Sequence, residues 1–317
     1  MTTGRQWVAT DFGGPEVLQL RDVDVPRPGP GEVTIGIGAS GMNPADYKHF
    51  AAGQDRSLLP LSVGYEAAGV ITSIGPGAEI ATGGGASGDE VIAFQILGSY
   101  ASAITVPASD VFAKPRTLSF AQAANLLLAG TTAAELVATA GLREGDTVLL
   151  HGAAGAVGMS VLQQARLIGV RVIGTASQEN FSVVEYFGGF PVTYGDGLAD
   201  RVRRAAPQGI AAVLDTVGSD EAVSTSLDLV EDRRRFVTLT AFGRAAQDGF
   251  IAIGASNPAS GPFRARARAR IVALAAEGKL EVPLAGTFAF EDAQAAVATL
   301  AGPHPSGKLA LMGPQDA

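Results

Sequence analysis

At 317 residues, 47% of them hydrophobic and 17% charged, the chain suits two domains with sizeable cores, which argues against a disordered protein. A net charge of −8 at pH 7 leaves no whole-chain electrostatic footprint for nucleic acid. With no cysteine, the chain has no disulfide, no thiol nucleophile and no thiolate-bound zinc.

In chain order, residues 1 to about 120 read as short strands separated by Gly/Pro turns, at 6–10, 18–24, 33–39, 67–74, 89–94 and 101–106. Pro26, Pro28 and Pro30, interleaved with Gly29 and Gly31, mark a rigid turn, and the glycines at 83–85 a mobile loop. From Ser119 the pattern becomes helical, over 120–128 and 132–141. Strand and helix then alternate to about residue 255, with strands at 147–150, 170–175, 189–194, 211–216, 235–239 and 250–253. That alternation is the pattern of a doubly wound parallel sheet. Helices at 263–277 and 290–301 and a strand at Lys308–Met312 follow.

Arg201, Arg203 and Arg204, then Arg233, Arg234 and Arg235, form local basic runs. Arg264, Arg266, Arg268 and Arg270 step about 200° around a helix and make no stripe, so all three runs read as solvated surface. No apolar run is long enough to span a membrane and no signal-peptide pattern stands at the start, so a soluble cytoplasmic protein is expected.

The most informative stretch is Asp146–Arg166. An apolar strand runs into Gly152-Ala153-Ala154-Gly155-Ala156-Val157-Gly158, which opens a long helix before a second strand. Gly152, Gly155 and Gly158 keep side chains out of the turn, so backbone N–H groups and the positive helix end can approach a pyrophosphate. The strand–turn–helix–strand context is what gives the glycine triplet its weight. About twenty residues on, the second strand ends in Gly174-Thr175-Ala176-Ser177, with no carboxylate at its tip. A carboxylate there would bind an adenosine ribose and repel a 2′-phosphate. Its absence, with neutral Ser177 and Asn180, favours NADP(H), although Glu179 stands nearby and no Lys or Arg does.

A β-rich first domain, an inserted dinucleotide domain and a short return resemble the medium-chain dehydrogenase/reductase superfamily, and within it the zinc-independent quinone oxidoreductases related to zeta-crystallin. The resemblance runs from Gly13-Gly14-Pro15-Glu16-Val17-Leu18 to Gly307-Lys308-Leu309. It is carried by Gly41-Met42-Asn43-Pro44-Ala45-Asp46, Gly64-Tyr65-Glu66-Ala67-Ala68-Gly69, Gly130-Thr131-Thr132-Ala133 and Leu214-Asp215-Thr216-Val217-Gly218, besides the glycine turn. Ala156 departs from the usual glycine. Zinc-dependent relatives place a cysteine where Asn43 stands, a histidine where Tyr65 stands, and a four-cysteine lobe where this chain has only residues 94–100. His49, His151 and His304 form no ligand spacing, so no metal site is expected. The implied fold is α/β: a GroES-like β-rich catalytic domain (1–120 with 257–317) and a Rossmann-type dinucleotide-binding domain (121–256).

Without a Lewis acid, NADPH can still reduce an acceptor that is already electrophilic, such as a quinone or a conjugated enone. Modest hydrogen-bond donation then holds the charge that collects on oxygen. Asn43 and Tyr47 are the catalytic candidates for donation or for orienting the substrate; a turn asparagine and a core tyrosine are the competing readings. Tyr65 would line the substrate pocket or simply fill space. By resemblance Thr132 lies near the nicotinamide, Gly155, Ala156 and Val157 face the pyrophosphate, and Ser177, Asn180 and Tyr194 the adenosine end. Val217, Gly218, Leu239, Thr240 and Phe242 end later strands, where ligands sit in open α/β sheets. Phe242 would wall the substrate side or plug a domain joint, and Lys308 is a cofactor candidate or an exposed lysine. The expected function is hydride transfer from NADPH to a quinone or an α,β-unsaturated carbonyl compound. A pathway-specific enoyl reductase and a non-enzymatic NADPH-binding sensor are the alternatives. The resemblance also implies a homodimer, with the strand at 250–253 pairing across a two-fold axis.

Overall fold

The computed structural model describes residues 2–254, 257–302 and 306–314; His304 lies outside them. The chain forms two units. Met1–Leu128, Val272–Gly278 and Val282–Ala317 make the first, and Ala129–Ile271 with Lys279–Glu281 the second. The first crossing falls eight residues later than 120/121, inside the helix Leu127–Thr139. The helix Ser260–Ala276, assigned from sequence to the first domain, belongs to the second as far as Ile271.

In the first unit, Thr2–Ala9 pairs antiparallel with Leu18–Val25 along its whole length and with Leu61–Ser62 on its other edge. A larger sheet runs in the order Leu284–Phe288, Lys308–Met312, Glu32–Gly41, Glu66–Ile74, Glu90–Phe94, Val111–Ala113, with Ala103–Pro107 also on Glu32–Gly41. Only the pair Leu284–Phe288 with Lys308–Met312 is parallel. Alternate residues Val33, Ile35 and Ile37 share one core with Ala67, Ile71, Val91 and Val106, as the two-residue period of a strand requires. A second core gathers Trp7, Leu18, Phe50, Tyr100, Phe290 and Val297. The Trp7 indole N–H donates to the Phe290 carbonyl at 2.8 Å.

The two helices expected over 120–128 and 132–141 are Phe120–Ala123 and Leu127–Thr139, so the break falls at 124–126 rather than at 129–131. Ser119 and Gln122 cap the first reciprocally. Asn125 then takes the backbone elsewhere: its Nδ2 donates to the Ala121 and Leu309 carbonyls and its Oδ1 accepts from Met42 N. Such side-chain bonds compete with helix continuation.

The second unit is a six-stranded, all-parallel sheet in the order Phe190–Val192, Arg171–Thr175, Thr147–His151, Ala212–Asp215, Phe236–Thr238, Ile251–Ala252. Its strands are apolar without alternation because both faces are covered. Val148, Leu150, Val172 and Leu214 pack with Val161 and Leu162 on one side. Leu149, Ile173, Val213 and Phe236 pack with Val202, Val223 and Phe250 on the other.

The arginine runs are not all solvated. Arg264 and Arg268, one helical turn apart, face inward, while Arg266 and Arg270 are exposed. Arg264 Nε donates to Glu135 Oε2 at 2.6 Å, and Arg268 is buried. Arg201 gives its guanidinium to the carbonyls of Thr193, Gly195 and Asp196, and Arg235 reaches Asp146 at 2.6 Å.

Helix and strand meet at Gly158, where a Cβ would lie 2.2 Å from the Gly152 carbonyl oxygen and 2.8 Å from Ala153 backbone atoms. At Gly155 the nearest neighbour would be 3.3 Å away. Gly158→Ala should therefore cost roughly 1–3 kcal/mol in urea unfolding, and Gly155→Ala clearly less. Equal losses would contradict this assignment of the close contact.

Candidate functional site

Strand order in the parallel sheet reverses at Thr147–His151, flanked by Arg171–Thr175 and Ala212–Asp215. Ligands of open α/β sheets bind beyond the carboxyl ends of the strands at such a point. Gly152 takes φ +76° there, and a Cβ on it would lie 2.4 Å from Thr216 Oγ1. Gly155 is the N-cap of the helix Ala156–Leu167 and brings no side-chain cap. The N–H groups of Ala156, Val157 and Gly158 thus have no intrahelical acceptor, and exposed Gly155 leaves the approach to them open. Ala156 takes its place as the first helical residue, half-buried, without disturbing the turn.

The same unit carries the other residues expected at a cofactor, and of these Val217 lies against Gly152. Thr132 is buried with its Oγ1 unpartnered. Tyr194, Val217 and Phe242 are among the exposed large apolar side chains. Each follows the carboxyl end of its own strand in the sheet. Tyr194 lies two residues past the strand Phe190–Val192 rather than closing it. Ser177 Oγ donates to Glu179 Oε1 at 3.1 Å and accepts from Asn180 Nδ2 at 2.9 Å. An uncapped helix start at the point where strand order reverses fits a nicotinamide dinucleotide.

Sequence reasoning missed the group that holds the later loops. Asp215 is fully buried at the end of its strand. Its Oδ1 accepts from Val217 N and Gly218 N at 3.0 and 2.9 Å, and its Oδ2 accepts from the Thr238 hydroxyl at 2.7 Å. Thr238 Oγ1 in turn accepts from Thr240 N and Ala241 N. One carboxylate therefore fixes Val217 and Gly218 directly, and through Thr238 the segment carrying Leu239, Thr240 and Phe242. The signal was a buried-strand aspartate followed by Thr216-Val217-Gly218. His151 is buried against Ser226 Oγ at 2.9 Å, and burial brings its imidazole down to about 4. It is a neutral packing residue at pH 7.

The first unit holds a second polar assembly. Asn43, 2% exposed, precedes the helix Pro44–Ala51. Its Nδ2 donates to Glu66 Oε1 at 2.8 Å, its Oδ1 accepts from Lys308 Nζ, and its backbone N–H donates to Asp46 Oδ2 at 2.8 Å. Lys308 is buried, not exposed; Nζ also donates to the Met42 carbonyl at 2.8 Å and stands 3.7 Å from Glu66. The Tyr100 hydroxyl donates to Asp46 Oδ2 at 3.2 Å, and Asp46 Oδ1 has no partner. Tyr47 packs its ring on the Trp7–Leu18 core. Half-buried Tyr65 shares a hydrogen bond between its hydroxyl and Nδ1 of exposed His49.

Two carboxylates meet one ammonium here. Burial pushes Asp46 up to about 7 and Glu66 upward, and lowers Lys308. Nothing in the sequence marked Asp46, Glu66, Tyr100 and Lys308 as one cluster, because they come from four separate segments.

Comparison with known proteins gives two family matches. Residues 29–116 match the alcohol dehydrogenase GroES-like domain and residues 190–311 the zinc-binding dehydrogenase family. Quinone oxidoreductase of Sus scrofa is 30% identical over 258 residues, 77% of this chain and 76% of that protein. A synaptic vesicle membrane protein VAT-1 homolog of Mus musculus is 36% identical over 221 residues, 68% of this chain and 53% of that protein. The chain thus spans about half the length of that relative. The structure of Escherichia coli quinone oxidoreductase complexed with NADPH superposes with a TM-score of 0.83 at 25% identity, covering 97% of this chain and 99% of that one. The chain belongs to the zinc-independent quinone oxidoreductase branch of the medium-chain dehydrogenase/reductase superfamily, with its GroES-like β-rich domain and Rossmann-type sheet. No helix among the described residues is long and apolar enough to cross a membrane.

Asp46 gives the first unit a pH dependence. Its folded value of about 7 lies above the unfolded 3.8, so the native state binds the extra proton. The stability this contributes is fully present below about pH 4 and is lost as pH rises through about 7. Urea unfolding at pH 5, 6, 7 and 8 should show falling stability, with a shallower fall in Asp46→Asn. The same slope in both proteins would contradict the assignment.

Proposed function

We propose that the chain transfers hydride from NADPH to a quinone or an α,β-unsaturated carbonyl compound without zinc. The observation that carries this reading is the uncapped helix start at Gly155-Ala156-Val157, at the point where strand order reverses. Those N–H groups would hold the pyrophosphate, with Ser177, Asn180 and Tyr194 toward the adenosine and Thr132, Val217, Gly218, Leu239, Thr240 and Phe242 toward the nicotinamide. Bound NADPH supplies the hydride. The NADPH complex of the Escherichia coli relative and the name of the Sus scrofa relative support the cofactor and the acceptor class.

In this reading Asn43 orients rather than donates, since its amide is already engaged by Glu66 and Lys308. Lys308 acts from beneath Asn43 and not on the cofactor. Tyr47 and Tyr65 supply hydroxyls toward the acceptor. The strand Ile251–Ala252 stands at the edge of its sheet, which supports a homodimer formed by sheet continuation. Sedimentation at micromolar concentration should give twice the chain mass, and a monomer would remove that part.

The direct test is NADPH oxidation by purified protein against a panel of quinones and conjugated enones, with NADH in parallel. Turnover of several quinones is the expected result. Tight NADPH binding with no turnover would leave a nucleotide-binding protein, and one strongly preferred enone would leave a dedicated enoyl reductase. Ser177→Asp should weaken NADPH by about tenfold or more while sparing NADH, since a carboxylate would face the 2′-phosphate. Equal effects on both cofactors would contradict the placement of that phosphate.

A further inference from the structure

Reduction of a conjugated acceptor consumes a proton as well as a hydride. Most titratable groups near Asn43 are poor sources: Asp46, Glu66, Tyr100 and Lys308 are buried and bonded to one another or to backbone. The Tyr65–His49 pair is different. It joins a half-buried phenol to an imidazole exposed to solvent.

The phenol is held in place by its backbone. The Tyr65 carbonyl accepts from Ile96 N at 3.2 Å. Gly64 before it takes φ +95°, with Ser99 and Tyr100 so close that a Cβ would lie 2.2 Å from Ser99 Oγ. His49 stands on the last turn of Pro44–Ala51, the helix whose first turn carries Asp46. Burial and the Asp46 carboxyl both raise the Tyr65 phenol above its ordinary value, so it keeps its proton at neutral pH.

We propose that Tyr65 is the general acid of the reduction and that His49 returns its proton from solvent. This deepens the reductase reading and rests on it. The β-carbon of the enone takes the hydride, forming a C–H bond as NADPH becomes NADP⁺. The C=C pair shifts toward the carbonyl carbon and the C=O π pair moves onto oxygen. Tyr65 Oη releases its proton to that oxygen, giving the enol, which tautomerises to the saturated carbonyl compound. His49 takes a proton from water on Nε2 as it gives Nδ1–H to the phenolate, which leaves hydroxide in solvent and the Nε2–H tautomer, reset by exchange with water. Neutral imidazole carries one N–H, so the relay needs it on Nδ1 or a second proton on Nε2.

The test is steady-state reduction of a conjugated enone in H₂O and D₂O, with NADPH affinity measured separately by fluorescence titration. Tyr65→Phe should lower kcat by about 10²-fold or more and change the solvent isotope effect, with NADPH affinity unaltered. His49→Ala should lose part of kcat and regain it on addition of imidazole, which the exposed position admits. A Tyr65→Phe enzyme with wild-type kcat and isotope effect overturns the proposal. So does a His49→Ala loss that imidazole does not restore. Wild-type protein that binds NADPH yet reduces no acceptor removes the reductase reading, and this proposal with it; wild-type turnover with an indifferent Tyr65→Phe removes this proposal alone.

Discussion

The second unit is organised around a backbone constraint: a helix start whose N–H groups are left unpaired. Such a terminus is stable when it faces solvent or an anion, and its macrodipole favours the anion. Keeping it accessible dictates the residues around it. Gly152 turns the chain in a left-handed conformation that also leaves room for Thr216, and Gly158 lets the helix lie against the strand end. A side chain at Gly158 would press the helix against the strand end, and one at Gly152 would run into Thr216 and Val217. Gly155 is less constrained sterically, and what it contributes is the lack of a cap. The three glycines of one motif thus meet three different demands.

Asp215 extends that order across the sheet. A fully buried carboxylate is costly unless its oxygens are hydrogen-bonded. Here both are, to Val217, Gly218 and Thr238. Because Thr238 uses its hydroxyl hydrogen on Asp215, its lone pairs are left to accept from Thr240 and Ala241. The polarity of the chain is therefore fixed from the carboxylate outward, and two loops from separate strands share one anchor. Arg201 does similar work from the other side by collecting three carbonyls of the loop that carries Tyr194.

Legibility in the sequence followed the range of the interactions. The parallel sheet could be read because strand, glycine turn and helix are local signals, and the six strands fall where apolar runs meet turn residues. Strand ends were less secure, as at Tyr194, where an aromatic beyond the last ladder pair resembles one inside it. The break at Asn125 was invisible because its cause is a bond to Leu309, far along the chain. Arg264 and Arg268 looked like surface because the step from one arginine to the next scatters them, whereas the pairing that matters is i to i+4. Lys308 could not be placed at all from its neighbours. Its burial depends on Met42, Asn43 and Glu66, which the sheet brings to it.

That last case bears on how the first unit tolerates its polar interior. Fully ionised, Asp46, Glu66 and Lys308 would bury a net negative charge. Pairing Lys308 with Glu66 through Asn43 satisfies one carboxylate, since the amide gives a hydrogen to Glu66 while receiving one from the ammonium. Asp46 is left with an unpartnered oxygen, and the cheapest remedy at low dielectric is to hold a proton there. A neutral amide at position 43 suits this arrangement in a way that an anionic side chain would not. A carboxylate there would repel Glu66 and Asp46 together and demand a second cation. Asn43 is thus constrained by the charges around it, independently of any substrate. Tyr65 and His49 lie outside that closed set of bonds and share a hydrogen bond of their own.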